Sequence, residues 1–223
     1  MSLTCQCPAA TALTTIPAVA CGENFGQIQK VAFQRLHQAD GTENKFTSSN
    51  SILLLASWTA LMAAAAGTKI VVSPYIEAPT SEPGAARTFG GGNETLGGVE
   101  VILGAEPTAF SAVLRRMPQD VIKVMKELMC EANAGNLGVY LFNENGQIEC
   151  IKETVAGTTP SYNYKPIPIR ALFISDKGHG GLENPDVNNI QWQFAPNYSD
   201  NLTILTPTDF NPLTDLVPAA NNG

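Results

Sequence analysis

The sequence predicts a mainly β protein of the α+β kind: a β-sandwich or barrel with one packed amphipathic helix and a long glycine-rich loop between strands. Three observations carry this. Short β-branched and aromatic runs recur along the 223 residues, punctuated by 19 glycines and 15 prolines. Hydrophobic residues make up 44% of the chain against 15% charged, enough to fill a core and too apolar for a disordered polymer. One stretch, Pro118 to Ile151, reads as a helix running directly into a hairpin.

The helical half places Val121, Met125, Leu128 and Ala132 on one stripe, flanked by Ile122, Val124 and Met129. Gln119, Asp120, Lys123, Lys126, Glu127, Cys130 and Glu131 occupy the other face, which leaves Cys130 a partly exposed thiol. Pro118 suits the first helical turn, and Gly135 suits a left-handed stop. Leu137 to Phe142 then reads as a strand, Asn145-Gly146 as a two-residue turn with positive φ angles, and Gln147 to Ile151 as the return. Cys150, opposite Leu141, is expected to be a small core residue.

Met1 to Gly22 shows no period and reads as an extended arm. Ile28 to Leu36 fits a strand that shows Val31 and Phe33 to one side, with a helix as the rival. Asp40 to Ser51 is a loop. Ser49 or Asn50 then caps a buried helix that carries Leu53, Leu54, Trp58, Leu61 and Met62 and ends at Gly67. Lys69 to Ile76 is a strand that Pro74 places at an edge or bulge. Glu77 to Gly98, with two prolines (Pro79, Pro83) and six glycines (Gly84, Gly90, Gly91, Gly92, Gly97, Gly98), reads as a long flexible loop, and loops of that length are usually functional or disordered.

Val99 to Leu103 resumes as a strand, and Glu106 to Met117 is mixed. After a turn at Gly157 to Pro160, Pro166 to Ser175 is a buried strand and Asp176 to Asn189 a loop. Ile190, Trp192 and Phe194 alternate with Gln191 and Gln193, the cleanest strand pattern in the chain. Ser199 to Asn201 turns it and Leu202 to Leu205 runs back. Pro207 to Gly223 shows no core pattern. The predicted organisation is an arm (residues 1–22), one β-rich domain (23–206, with the loop at 77–98) and a tail (207–223). Its core is anchored by Val121, Met125, Leu128, Trp192 and Phe194.

A net charge of −7 disfavours a groove that grips nucleic acid, because such grooves need clustered Lys and Arg. The longest apolar run, Ile52 to Ala66, is interrupted and shorter than the roughly 20 residues a membrane span requires. No basic segment precedes an apolar block at the start, so folding in a reducing cytoplasm is expected. Cys5, Cys7 and Cys21 make at most an incomplete zinc site. The low charged fraction points to surface covered by copies of the same chain.

The tests for chemistry fail in turn. No Gly-Lys-Ser/Thr follows Gly90 to Gly98, so that loop is no phosphate cradle. Gly178-His179-Gly180-Gly181 has the look of an oxyanion turn, yet no Gly-x-Ser-x-Gly elbow exists. Asp176, Glu183 and Asp186 flank His179 without EF-hand spacing. The expectation is no catalytic residue, no cofactor and no metal. Two alternatives stay open: a small hydrolase using His179, and a carbohydrate-binding module with Trp192 and Tyr198 on one exposed face, although Trp192 is expected to be buried.

The order of strand, glycine-rich loop, strand (Gly98-Val-Glu-Val-Ile-Leu), helix and hairpin (Leu137-Gly-Val-Tyr-Leu-Phe with Gly146-Gln-Ile) resembles the tail tube proteins of tailed bacteriophages and prophages. The segments Ile174-Ser-Asp-Lys-Gly, Asn188 to Leu202 and Asp209-Phe-Asn-Pro-Leu-Thr-Asp-Leu look like phage virion proteins. The resemblance implies a structural protein that pairs with itself into a ring, commonly a hexamer, with rings stacking into a tube through which DNA passes without specific binding. It further implies a virion location, assembly in the host cytoplasm, other tail proteins as partners, and no membrane. The loop residues Arg87, Thr88, Phe89, Gly90, Gly91, Gly92, Asn93 and Glu94 match the family's inter-ring contact. A head-tail connector or tail terminator ring is the structural alternative.

Overall fold

The computed structural model describes residues 15–19, 22–65, 67–157 and 161–217. Cys5, Cys7, Cys21, most of the predicted arm, the end of the Gly157 to Pro160 turn and the last residues of the tail lie outside the described residues. In chain order the elements are β1 (Ile28–Arg35), α1 (Leu55–Ala63), β2 (Ile70–Val72), β3 (Glu77–Glu82), β4 (Ala86–Gly90), β5 (Glu100–Ala105), β6 (Thr108–Arg115), α2 (Gln119–Asn133), β7 (Leu137–Asn143), β8 (Ile148–Val155), β9 (Ser161–Lys165), β10 (Ile167–Ile174), β11 (Val187–Phe194) and β12 (Leu202–Leu205). The fold is mainly β with antiparallel pairing, as the sequence predicts. The chain divides into two compact units, Phe25–Pro83 with Pro107–Gly223, and Gly84–Glu106 with Met1–Asn24.

In the larger unit, β7 is buried along its whole length and organises the sheet. One edge pairs with β1; the other takes β10 at its start and β8 at its end. From β10 the sheet continues through β11 and β6 to β3. The segment between β2 and β3 also bonds to β1, the Ser73 and Ile76 N–H groups donating to the Val31 and Gln29 carbonyls at 2.8 and 2.9 Å. The alternation of a strand then sorts the side chains. Leu137, Val139 and Leu141 join Val31, Phe33, Phe110, Leu114, Ile169, Trp192 and Phe194 in one core. Tyr140 and Phe142 face the other way, into a second core with Phe46, Trp58, Ile148 and Cys150.

Helix α2 follows the predicted stripe. Ile122, Met125 and Ala132 are buried, and Val121 and Leu128 are partly buried against the first core. Gly135 takes the left-handed stop at φ 73°. Cys130 is exposed and Cys150 buried, as expected.

The structure corrects several expectations. The β7–β8 turn has positive φ at Gly146 alone, not at Asn145. The buried Asn143 carboxamide accepts the N–H groups of Asn145 and Gln147, which holds a longer turn in place. Helix α1 starts at Leu55, and neither Ser49 nor Asn50 caps it. It is only half covered: Ser57 and Trp58 are buried, whereas Leu54 is exposed. The expected strand Lys69 to Ile76 shortens to three residues before Pro74. Glu106 to Met117 contains a full strand, β6, whose small outward residues Ala109 and Ser111 disguise the alternation. Strand β9 was not expected, and β12 pairs with β8 instead of running back along β11. The tail does contribute to a core, through Leu213 and Leu216. Glu77 to Gly98 is not a structureless loop: Glu77–Glu82 is a strand on β6, with a bulge that absorbs Pro79, and the rest begins a hairpin.

Candidate assembly surface

The β4–β5 hairpin pairs Phe89 with Val101, Thr88 with Ile102 and Gly90 with Glu100, with a bulge after Arg87. The Glu106 N–H donates to the Ala85 carbonyl at its base (2.8 Å), and Arg87 lies 3.7 Å from the Glu106 carboxylate. Both ends of that ion pair are exposed, so it holds the hairpin weakly. The tip is closed by local bonds. The Glu94 N–H donates to Gly91 O, the Gly91 N–H to the Thr95 hydroxyl oxygen, and that hydroxyl to Val99 O at 2.6 Å. Gly90, at φ 90°, is required there, since a Cβ would overlap the Thr95 methyl. Gly91, Gly92 and Asn93 complete the turn.

This hairpin carries exposed apolar residues. Phe89, Val99, Val101, Ile102 and Leu103 are each more than half exposed, and Leu96 is fully exposed. A two-stranded hairpin alone is marginal in water, and contiguous exposed apolar residues mark contact surfaces. The predicted contact set, Arg87 to Glu94, covers β4 and part of the tip. It misses β5, where Val101-Ile102-Leu103 puts apolar side chains on both faces; the lack of alternation in that run was the available signal.

A groove of about 440 Å³ lies between α2 and the β1–β2 pair of the larger unit. Phe33, Val71, Val124 and Leu128 give it an apolar lining, and Val124 is half exposed. Its charged residues are Arg35, Lys69, Glu127 and Glu131. Arg35 is paired with Glu131, whereas Lys69 and Glu127 have no ion-pair partner among the described residues. Strand β2 is bonded to β1 along one edge, and no strand among the described residues pairs with its other edge.

The remaining polar groups serve the fold. Lys165 bridges Glu43 and Glu153, and Lys45 lies within 3.5 Å of the same two carboxylates. Hydrogen bonds from Lys165 and then Asn163, with the charges of Lys165 and Lys45, hold the Glu153 carboxyl down to about 2. His179 is exposed, with Nδ1 3.3 Å from Asp186, and the other Asp186 oxygen accepts the Gly180 N–H. Asp176 is drawn away to Lys126. No group of three or more His, Cys, Asp or Glu among the described residues is placed to hold a metal. Trp192 is buried in the first core and Tyr198 stacks on Phe194 at 4.5 Å, so they do not form the exposed aromatic face that carbohydrate binding would use. No helix among the described residues is long and apolar enough to cross a membrane.

No family model and no curated protein matches the chain. Among solved structures, it is similar to a chain of the anti-feeding prophage baseplate, determined by electron cryomicroscopy with six-fold symmetry. The identity is 11% and the TM-score 0.29, over 87% of this chain and 99% of the other. That likeness assigns no role here.

Proposed function

We propose that this chain is a self-assembling structural protein of a phage or prophage tail, a tube subunit that forms rings which stack into a conduit for DNA. The observation that carries the reading is the β4–β5 hairpin, which has exposed apolar residues on both strands. The family resemblance and the low charged fraction support it. The partners are other copies, in a ring of six, and neighbouring tail proteins; the setting is the virion, after assembly in the host cytoplasm. A net charge of −7 lets DNA pass without sticking. The role is non-catalytic, with no cofactor, and His179 serves its own loop.

Negative-stain imaging of the purified full chain, with and without residues 86–105 replaced by a short turn, tests this. Tubes or stacked rings are expected for the intact chain and none for the shortened one. Single rings that never stack would favour a connector or terminator. A chain that stays monomeric at high concentration would remove the reading altogether.

A further inference from the structure

The hairpin and the α2–β2 groove are each incomplete, and each offers what the other lacks. The hairpin has exposed apolar residues on both strands, and its outer edges pair with no other strand among the described residues. The groove has an apolar lining beside a strand whose outer edge pairs with no other strand among the described residues. An open edge is completed by an added strand, whose main chain bonds to it while alternate side chains fill the space beneath. We propose that the β4–β5 hairpin of one copy seats in the α2–β2 groove of the next copy, with β5 laid along the outer edge of β2. This rests on the self-assembly reading above and names the receiving surface for it.

Charge supports the same pairing. Lys69, just before β2, is exposed and unpaired among the described residues, and so is Glu127 on the facing side of α2. The hairpin carries Glu100 at the start of β5 and Arg87 near the start of β4. These charges have opposite sign and lie toward opposite ends of the hairpin. Glu100 and Ile102 share one face of β5, with Arg87 across from Gly104 on the same face, and Lys69 and Val71 line the same groove, so seating brings Glu100 to Lys69, Ile102 against Val71 and Val124, and Arg87 to Glu127. A surface that meets itself would give a closed two-fold dimer. Here the two surfaces differ, so the contact is head to tail and every copy keeps one hairpin and one groove to offer. That is the geometry of a ring or a growing stack.

Charge reversal in the full chain tests the pairing, with the assembled fraction read by sedimentation velocity and folding by tryptophan fluorescence. Lys69→Glu and Glu100→Lys, each alone, are expected to raise the concentration needed for assembly by at least about tenfold, because like charges then meet at the contact. The double variant restores the opposite-sign pair and is expected to return close to the parent value. A second measurement is independent of charge: Val71→Cys with Ile102→Cys should give a disulfide between chains, mapped by mass spectrometry. A Lys69→Glu chain that assembles like the parent, or a cysteine pair that never links two chains, would overturn the groove while leaving self-assembly intact. A parent chain that never assembles would overturn both.

Discussion

The ring of Phe33 on β1 meets the indole of Trp192 on β11 edge to face, with centroids 6.1 Å apart and planes at 83°, although no hydrogen bond joins the two strands. β7 and β10 separate them in the sheet, so the contact is made through the core. Phe110 stacks on the same indole at 4.0 Å, and Phe194 meets it at 90°. This aromatic group joins β1, β6 and β11, which are far apart in sequence.

The two tryptophans should therefore respond differently to the same substitution. The Trp192 N–H has no hydrogen-bond acceptor among the described residues, whereas the Trp58 N–H donates to the Ile52 carbonyl at 2.8 Å. Trp58→Phe loses that bond as well as volume. It should destabilise the chain by about 1 kcal/mol more than Trp192→Phe. Urea unfolding of the two variants beside the parent checks the order.

Lys30 is buried, and burial lowers its pKa. Its Nζ donates to the carbonyls of Leu213 (3.1 Å) and Leu216 (2.6 Å), and the Tyr75 hydroxyl donates to Leu213 O at 2.8 Å. Lys30→Met leaves those carbonyls short of donors and should cost about 2 kcal/mol. Hydrogen exchange over residues 210–217 should quicken well beyond any change in β7.

The Glu153 carboxyl titrates at about 2 in the folded chain against an ordinary value of 4.5. The folded state thus binds its proton less readily than the unfolded state. Its stabilising contribution is full above the ordinary value and is lost as pH falls toward 2. Glu153→Gln should flatten that part of the stability profile. Thermal unfolding at closely spaced pH values between 2 and 6 would show it as a shallower acid limb.

Asp209 Oδ1 accepts the Leu55 N–H at 3.0 Å, taking the place of a local cap at the start of α1. Asp209→Ala should cost about 1 kcal/mol, and Asp209→Asn less, because the amide oxygen still accepts. Amide exchange in the first turn of α1 separates the two variants.

Features built from neighbours in sequence were legible. The stripe of α2, its stop at Gly135 and the alternation of Ile190, Trp192 and Phe194 depend on periodicity and one permissive residue, and the structure has them where the pattern puts them. The hairpin's location was half legible. Glycines and prolines hid β3 and β4 within an apparent loop, because the bonds that order them come from β6 and β5. The groove was not legible, since its lining comes from β1, β2 and α2, which only the fold brings together.

By itself, the order of residues determined a mainly β chain with a one-sided helix and a hairpin after it, because side-chain direction repeats every 3.6 or 2 residues wherever the element lies. Tertiary structure alone decided that Leu213 and Leu216 join a core, that α1 takes its cap from Asp209, and that Phe33 touches Trp192. The last two contacts join residues more than 150 positions apart, and the core that Leu213 and Leu216 join reaches back to Ala32, distances over which no local period carries information.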